Sequence, residues 1–448
     1  SPAPTAWQAR IEQRLRALEH ARGVVVPEAP PATAHDAMRS KLASLTKTLA
    51  GAADVGIAVK DLRTGAVVFE HGAEQTLNPA SNHKLLTATA AVTLLGDDFR
   101  FETRVVRDGD TLYLVGGGDP SLQVEDLEAL ARDVDTNGIT ALVIDDTMFS
   151  ARTFGPGYED GGPGFSYMAP SGALSLQYNT VVVRTGPGGI SVTPPSEHLS
   201  LERGRTRGPV HVSTRADGEP TIVRVDGSTT TPSKTRRRIT DPGRFTASTF
   251  ARFAGLDVQI RRGRAPRDAT LVARHESAVL PEVLGSALKF SNNFTTEQVL
   301  RTLGHLASNA PGDWQNGSAV LRRFWDAVGQ DPAALSFENA SGLSADGRVT
   351  PRALVALVSL WTEHEDAAAV MDALPVAGRE GTLAGRLRRS RGRVRAKTGT
   401  LSNATGLTGV ITDHRGDPQY AFSVLVGSRQ VGRAKRFQDR VVMTLLRG

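Results

Sequence analysis

The 448-residue chain contains no cysteine. Disulfides, thiolate metal centres and a cysteine nucleophile are therefore excluded, and the composition suits an exported protein that does without disulfides. No apolar run reaches the roughly 18 residues that a membrane-spanning helix needs; the longest, Leu85 to Leu95, is interrupted by threonines. The opening SPAPTAWQAR has neither Met nor a charged-then-apolar leader, as expected of a chain whose signal peptide has been removed. The histidines form no His-Glu-x-x-His or similar pattern, so neither a metal nor a cofactor is expected. Gly116-Gly117-Gly118 lacks the Lys-Ser/Thr of a phosphate loop and reads as a close-packed turn. The densest basic run, Lys234-Thr235-Arg236-Arg237-Arg238, has no aromatic neighbours on which bases could stack, which argues against a nucleic-acid partner.

What is present is ordinary for a globular protein: 40% apolar and 22% charged residues. The length exceeds one core, so two or three domains are expected. The net charge of +6 comes mostly from arginine, since only eight of the 53 basic residues are lysine. Most of it reads as solvated surface, although the segment RLRRSRGRVR (386–395) runs directly into a motif described below. Residues 1–35 read as an extension, with an amphipathic helix over 7–18 followed by the linker-like VVVPEAPPATA. DVGIAVKDLRTGAVVFEH then predicts a hairpin turning at Arg63-Thr64-Gly65. Strand patterns return at the end as RVRAKTGT, GLTGVITD and QYAFSVLVG, followed by a helix over 434–446. This layout predicts one discontinuous domain, 36–96 plus 275–448, interrupted by an inserted domain over 97–274. The β-rich stretch 179–238 is either part of that insert or a reduced third subdomain.

Three short motifs stand out. NPASNHKLLTATAAV (78–92) sets Lys84 on or beside the apolar face of a helix that begins at Ser81. Taken alone, Ser81 would be an N-cap and Lys84 a snorkelling stem. Ser291-Asn292-Asn293 lies between two helical patterns and alone would be a polar loop. Lys397-Thr398-Gly399-Thr400 ends a strand pattern. With so few lysines, a chance Lys-Thr-Gly is expected at well under ~0.1 per chain of this composition. Their order carries the information.

The ordered set Ser-x-x-Lys, Ser-x-Asn, Lys-Thr-Gly resembles that of the penicillin-binding, active-site serine peptidases that act on D-alanyl-D-alanine. The flanks VGGGDPSL (115–122), APSGALSL (169–176), ITDPGRF (239–245), NASGLSADGRVTP (339–351) and LPVAGREGTLAGR (374–386) are similar to those of the low-molecular-mass class C branch, the D-alanyl-D-alanine carboxypeptidase/endopeptidase family. The likeness covers roughly residues 40 to 447. It implies an α+β/α/β multidomain fold: a penicillin-binding-protein/β-lactamase-like serine peptidase domain, with helices flanking an antiparallel sheet, interrupted by a β-rich inserted domain. It further implies a serine D-Ala-D-Ala carboxypeptidase acting on peptidoglycan stem peptides outside the cytoplasm, in a bacterial periplasm, with cleavage of D-alanyl crosslinks left open. β-Lactam antibiotics would acylate it covalently. No transmembrane segment is expected; peripheral membrane contact through the 7–18 segment is the alternative to its packing on the body.

The resemblance also assigns roles that the chemistry can use. Ser81 would be the nucleophile and Lys84, three residues on along one helical face, its base. Burial, the positive helix end and Lys397 as a second cation would lower the amine's pKa. Ser291 would relay a proton to the leaving amine, and Asn293 would bind the substrate amide and orient Lys84. Lys397, Thr398 and Thr400 would hold the terminal carboxylate, while Gly399 would let the substrate backbone lie along the strand. The backbone N–H groups of Ser81 and Thr400 would form the oxyanion hole. For the side-chain pocket, Arg348, Tyr167 and Leu401 are candidates. The acid that several relatives use there falls by spacing near Gly162, so Asp160, two residues earlier, is a displaced candidate. Two rivals remain: a β-lactamase-like hydrolase, for which no deacylating glutamate is identified, and an inactive peptidoglycan-binding homologue.

Overall fold

In this computed structural model the described residues are 5–22, 35–49, 51, 53–158 and 162–447. They form two compact units: residues 1–99, 279–292 and 318–448 make the first, and 100–278 with 293–317 the second.

The first unit is built on a five-stranded antiparallel sheet in the order Val394–Thr400, Ala404–Thr412, Pro418–Gly427, Asp54–Asp61, Val67–His71. Successive strand residues point to opposite faces. Val55, Ile57 and Val59, with Val394 and Ala396, therefore share one buried cluster. Helices Asp36–Lys47 and Val431–Leu445 close that face with Met38, Leu42 and Leu45 and with Phe437, Val441 and Leu445, the spacing of a single helical stripe. The same period puts Lys397 on the other face of its strand. The helix Lys84–Leu95 belongs to this unit and is buried at all twelve positions; a helix apolar all round is a core helix. Trp361 on helix Pro351–Glu363 donates its indole N–H to Thr89 (3.0 Å).

The amphipathic N-terminal segment forms helix Ala6–Arg22. Ile11 and Leu15 are 1% exposed, and Arg14 donates to the carbonyl of Thr93. Its apolar stripe is thus spent on the unit's own core, which removes this segment as the membrane-contact candidate. Most of the linker-like stretch, 23–34, lies outside the described residues.

The second unit has a five-stranded mixed sheet, Gln259–Arg262, Ala141–Asp145, Thr111–Gly116, Glu102–Asp108, Thr270–Glu276, and two three-stranded sheets within 180–238. Val181, Val183, Val212 and Val223 pack into the same buried cluster as Val105, Leu112 and Leu142, so the β-rich stretch has no core of its own. A Cβ on Gly116 would come within 2.4 Å of the Ala173 backbone, the close packing expected of the triple glycine. Two groupings differ from the expected layout: helix Ala6–Arg22 clusters with the first unit, and residues 293–317 cluster with the second. The cause of the latter is a buried polar face on helix Asn293–Ser308. Arg301, fully buried, donates to the carbonyls of Ser171 (3.0 Å), Ser150 (2.7 Å) and Gly312 (3.1 Å). Glu297 accepts from Trp314 (2.8 Å) and Tyr158 (3.1 Å), and Gln298 donates to Gly172 O (2.9 Å).

Candidate active site

Ser81 does not cap the buried helix. It sits in a 3₁₀ turn, Ala80–His83, whose last residue leads into the helix at Lys84. The turn is entered through Ala80 at φ 48°, a left-handed conformation that non-glycine residues adopt at a cost. Its surroundings enforce the shape. Asn78 accepts from the Ala80 N–H (2.8 Å) and donates to the carbonyls of Ser344 (3.2 Å) and Ala345 (2.9 Å). Beneath the turn, Gly399 and Gly406 face each other across paired strands. A Cβ on Gly399 would lie 2.6 Å from Pro79 O, and one on Gly406 would lie 2.1 Å from Asn82 Nδ2. The glycine of the Lys-Thr-Gly motif therefore clears space for the serine turn. This is a second demand on the position besides the expected one of admitting substrate backbone, since a side chain there would point at Pro79 and Asn82.

Lys84 is fully buried. Its Nζ lies 3.0 Å from Ser81 Oγ and 2.7 Å from the Ser341 carbonyl. Lys397, also fully buried, donates to Ser291 Oγ (3.0 Å) and to its neighbour's carbonyl at Thr398 (2.6 Å). Burial, and then the Lys84 charge, hold the Lys397 amine well below the ordinary lysine range. His83 is buried against Phe337, ring centroids 4.7 Å apart. Burial, with a smaller push from Lys84, lowers its pKa to about 3, so its imidazole is neutral at pH 7. Thr398 donates to Thr382 Oγ1 (2.8 Å), which ties the strand to the 374–386 segment. Ser81 and Ser291 are half-buried and Thr400 is exposed: polar ends meet solvent while both amines do not.

The family follows from comparison of the whole chain. Residues 38–445 match the D-Ala-D-Ala carboxypeptidase 3 (S13) family. The chain belongs to that family. It is 30% identical over 437 residues to the D-alanyl-D-alanine carboxypeptidase of Actinomadura sp. (strain R39), covering 87% of this chain and 80% of that protein. Among solved structures, penicillin binding protein 4 (dacB) from Haemophilus influenzae aligns with TM-score 0.78 at 21% identity, over 90% of this chain and 99% of that one. The same protein complexed with a novel β-lactam aligns at 0.72 and 20%, over 91% and 99%. These alignments establish the multidomain penicillin-binding-protein fold. With its family, the chain is a serine-type carboxypeptidase.

The S13 assignment sorts the remaining candidates. Ser81, Lys84, Ser291, Lys397, Thr398, Gly399 and Thr400 all fall in the first unit, where Lys84 bonds Ser81 and Lys397 bonds Ser291. Asn293 falls in the second unit, where its Nδ2 donates to the Tyr167 carbonyl (3.0 Å). Tyr167 is 49% exposed and stacks on Phe165 at 5.1 Å. Leu401 is half-buried in the hairpin turn, its N–H on Ala404 O (2.8 Å). Arg348 donates to Ala345 O and Gly347 O, both 2.8 Å, so this guanidinium braces its own loop. Asp160 lies outside the described residues. Among the described residues no cluster of His, Asp and Glu could hold a metal, and no helix is long and apolar enough to cross a membrane. Sequence reasoning missed the Ser341 carbonyl, Asn78, Thr382 and Gly406. All but Gly406 lie in or beside segments that carry the S13 likeness, but a backbone carbonyl has no residue-type signature.

Proposed function

We propose that this S13 carboxypeptidase cleaves the terminal D-alanine of peptidoglycan stem peptides through an acyl-enzyme on Ser81. The observation that supports this best is the buried Lys84 amine, 3.0 Å from Ser81 Oγ and anchored 2.7 Å from the Ser341 carbonyl. Once unprotonated, the Lys84 amine would donate one N–H to that carbonyl and keep its lone pair for the serine proton. As Ser81 attacks the D-alanyl carbonyl, the oxygen's developing charge falls to the backbone N–H groups of Ser81 and Thr400. The close approach of strand to turn at the paired glycines supports that reading. Ser291 would pass a proton to the departing amine, a role supported by the bond it accepts from Lys397. Lys397, Thr398 and Thr400 receive the substrate carboxylate. Water then resolves the ester with Lys84 again as base.

The substrate, the penicillin sensitivity and an extracytoplasmic, periplasmic location rest on the family. A β-lactam presents a strained amide beside a carboxylate, so it should acylate Ser81 and leave slowly. The test is D-alanine release from pentapeptides carrying diaminopimelate or lysine, together with cleavage of a D-alanyl-crosslinked dimer. Wild type should release D-alanine and Ser81→Ala should not. Release that survives Ser81→Ala would refute the mechanism, and comparing the two peptides reads the preference set around Tyr167.

A further inference from the structure

Helices Asp36–Lys47 and Val431–Leu445 lie side by side on the first unit's sheet, and the seam between them is open to the outside. It forms a trough of about 700 Å³ that meets a second hollow of about 290 Å³ at Thr48 and Arg440, which line both. Its walls are cationic. Arg433, Arg436, Arg440 and Arg447 form one stripe of the C-terminal helix and its end, all exposed, and Lys41 faces them from the other helix. Arg433 bonds the Thr48 carbonyl (3.0 Å). Among the described residues, no carboxylate pairs with Lys41, Arg436, Arg440 or Arg447. The one acid of the trough, Asp439, is held by Arg386 at 2.7 Å. The floor is apolar: Leu45, Leu49, Phe437 and the half-buried Met443.

Unpaired cations around an apolar floor match one kind of ligand, an amphiphile with an anionic head and a hydrocarbon tail. A soluble polyanion would use the rim and leave the floor idle; a neutral apolar partner would leave the charges unpaired. We infer that this seam docks the enzyme on a membrane surface rich in anionic phospholipid, with the arginine stripe on phosphates and Met443 toward the acyl boundary. The helix Ala6–Arg22, whose apolar face is already buried, takes no part. The contact is peripheral and salt-sensitive, because it rests largely on screened charge.

The full chain should co-sediment with phosphatidylglycerol-containing vesicles at low salt and not with pure phosphatidylcholine vesicles. Arg436→Glu combined with Arg440→Glu should weaken partitioning by about 30-fold or more, from roughly one factor of five per basic residue. Met443→Gln, a milder change that keeps the fold, should also weaken it, while D-alanine release from a soluble peptide stays at the wild-type rate in both variants. Equal binding to both vesicle types, or no binding to either, would overturn the inference. So would a Met443→Gln protein that binds like wild type and is displaced fully by soluble polyphosphate, since that result assigns the rim to a soluble polyanion.

Discussion

At the scale of single residues, the site is governed by what burial does to charge. His83 is neutral in the folded chain and titrates near 3, against 6.5 when exposed. Its folded pKa is depressed, so between pH 6.5 and 3 the unfolded chain binds the extra proton and stability falls as pH falls. The full loss is on the order of 5 kcal/mol. Denaturant titrations of wild type and His83→Leu at pH 7 and pH 4 should show the variant losing markedly less stability on acidification; equal losses would mean that His83 is not buried as described. Lys397 offers a second reading of the same physics. Its amine is held low by burial first and by the Lys84 charge second. Replacing Lys84 with Met removes only the second cause, so NMR titration of Lys397 Nζ should give a pKa higher than wild type but still under the ordinary lysine value. An unchanged pKa would show that the two amines do not interact.

At the scale of elements, the serine is held by backbone shape. The 3₁₀ turn at 80–83 lies on Gly399 and Gly406, and a methyl at position 406 would collide with Asn82 and Pro79. Gly406→Ala should lower the penicillin acylation rate by about 100-fold, as small displacements of a reacting group do, and cost about 1–3 kcal/mol in stability. Wild-type acylation kinetics in this variant would show that the turn tolerates the push. Here the limits of sequence reading are physical. Ser81, Lys84, Ser291 and Lys397 were legible because the chemistry demands those side chains in that order. The left-handed Ala80, the Ser341 carbonyl and Gly406 were not, because their roles are backbone geometry that many sequences could supply. Gly399 was legible as a special position, but its contact with the serine turn was not. Elements themselves were largely legible: the hairpin at Arg63-Thr64-Gly65 appears between Asp54–Asp61 and Val67–His71 as its turn chemistry predicts.

At the scale of the whole molecule, the return of strand patterns near the C-terminus is what suggests an interrupted layout in the sequence, and nothing there signals that 293–317 cluster with the second unit. Glu297, Gln298 and Arg301 resemble the polar face of an ordinary surface helix, and only tertiary structure reveals that they are buried partners of 150–172 and 312–314. Arg301→Met would strand the carbonyls of Ser150 and Ser171 without their donors and take one of two from Gly312, which keeps the Ser150 N–H. It should destabilise the protein by about 3–5 kcal/mol, with Arg301→Lys failing to restore it because an ammonium cannot reproduce the guanidinium fork. A thermal shift within a degree of wild type would contradict the burial of this network.

The proposed chemistry requires that one serine carry the acyl group. Incubation of the full chain with labelled penicillin, proteolysis and mass mapping should place the adduct on the peptide containing Ser81, with Ser81→Ala unlabelled. An adduct on any other residue, or one that persists in Ser81→Ala, would contradict it.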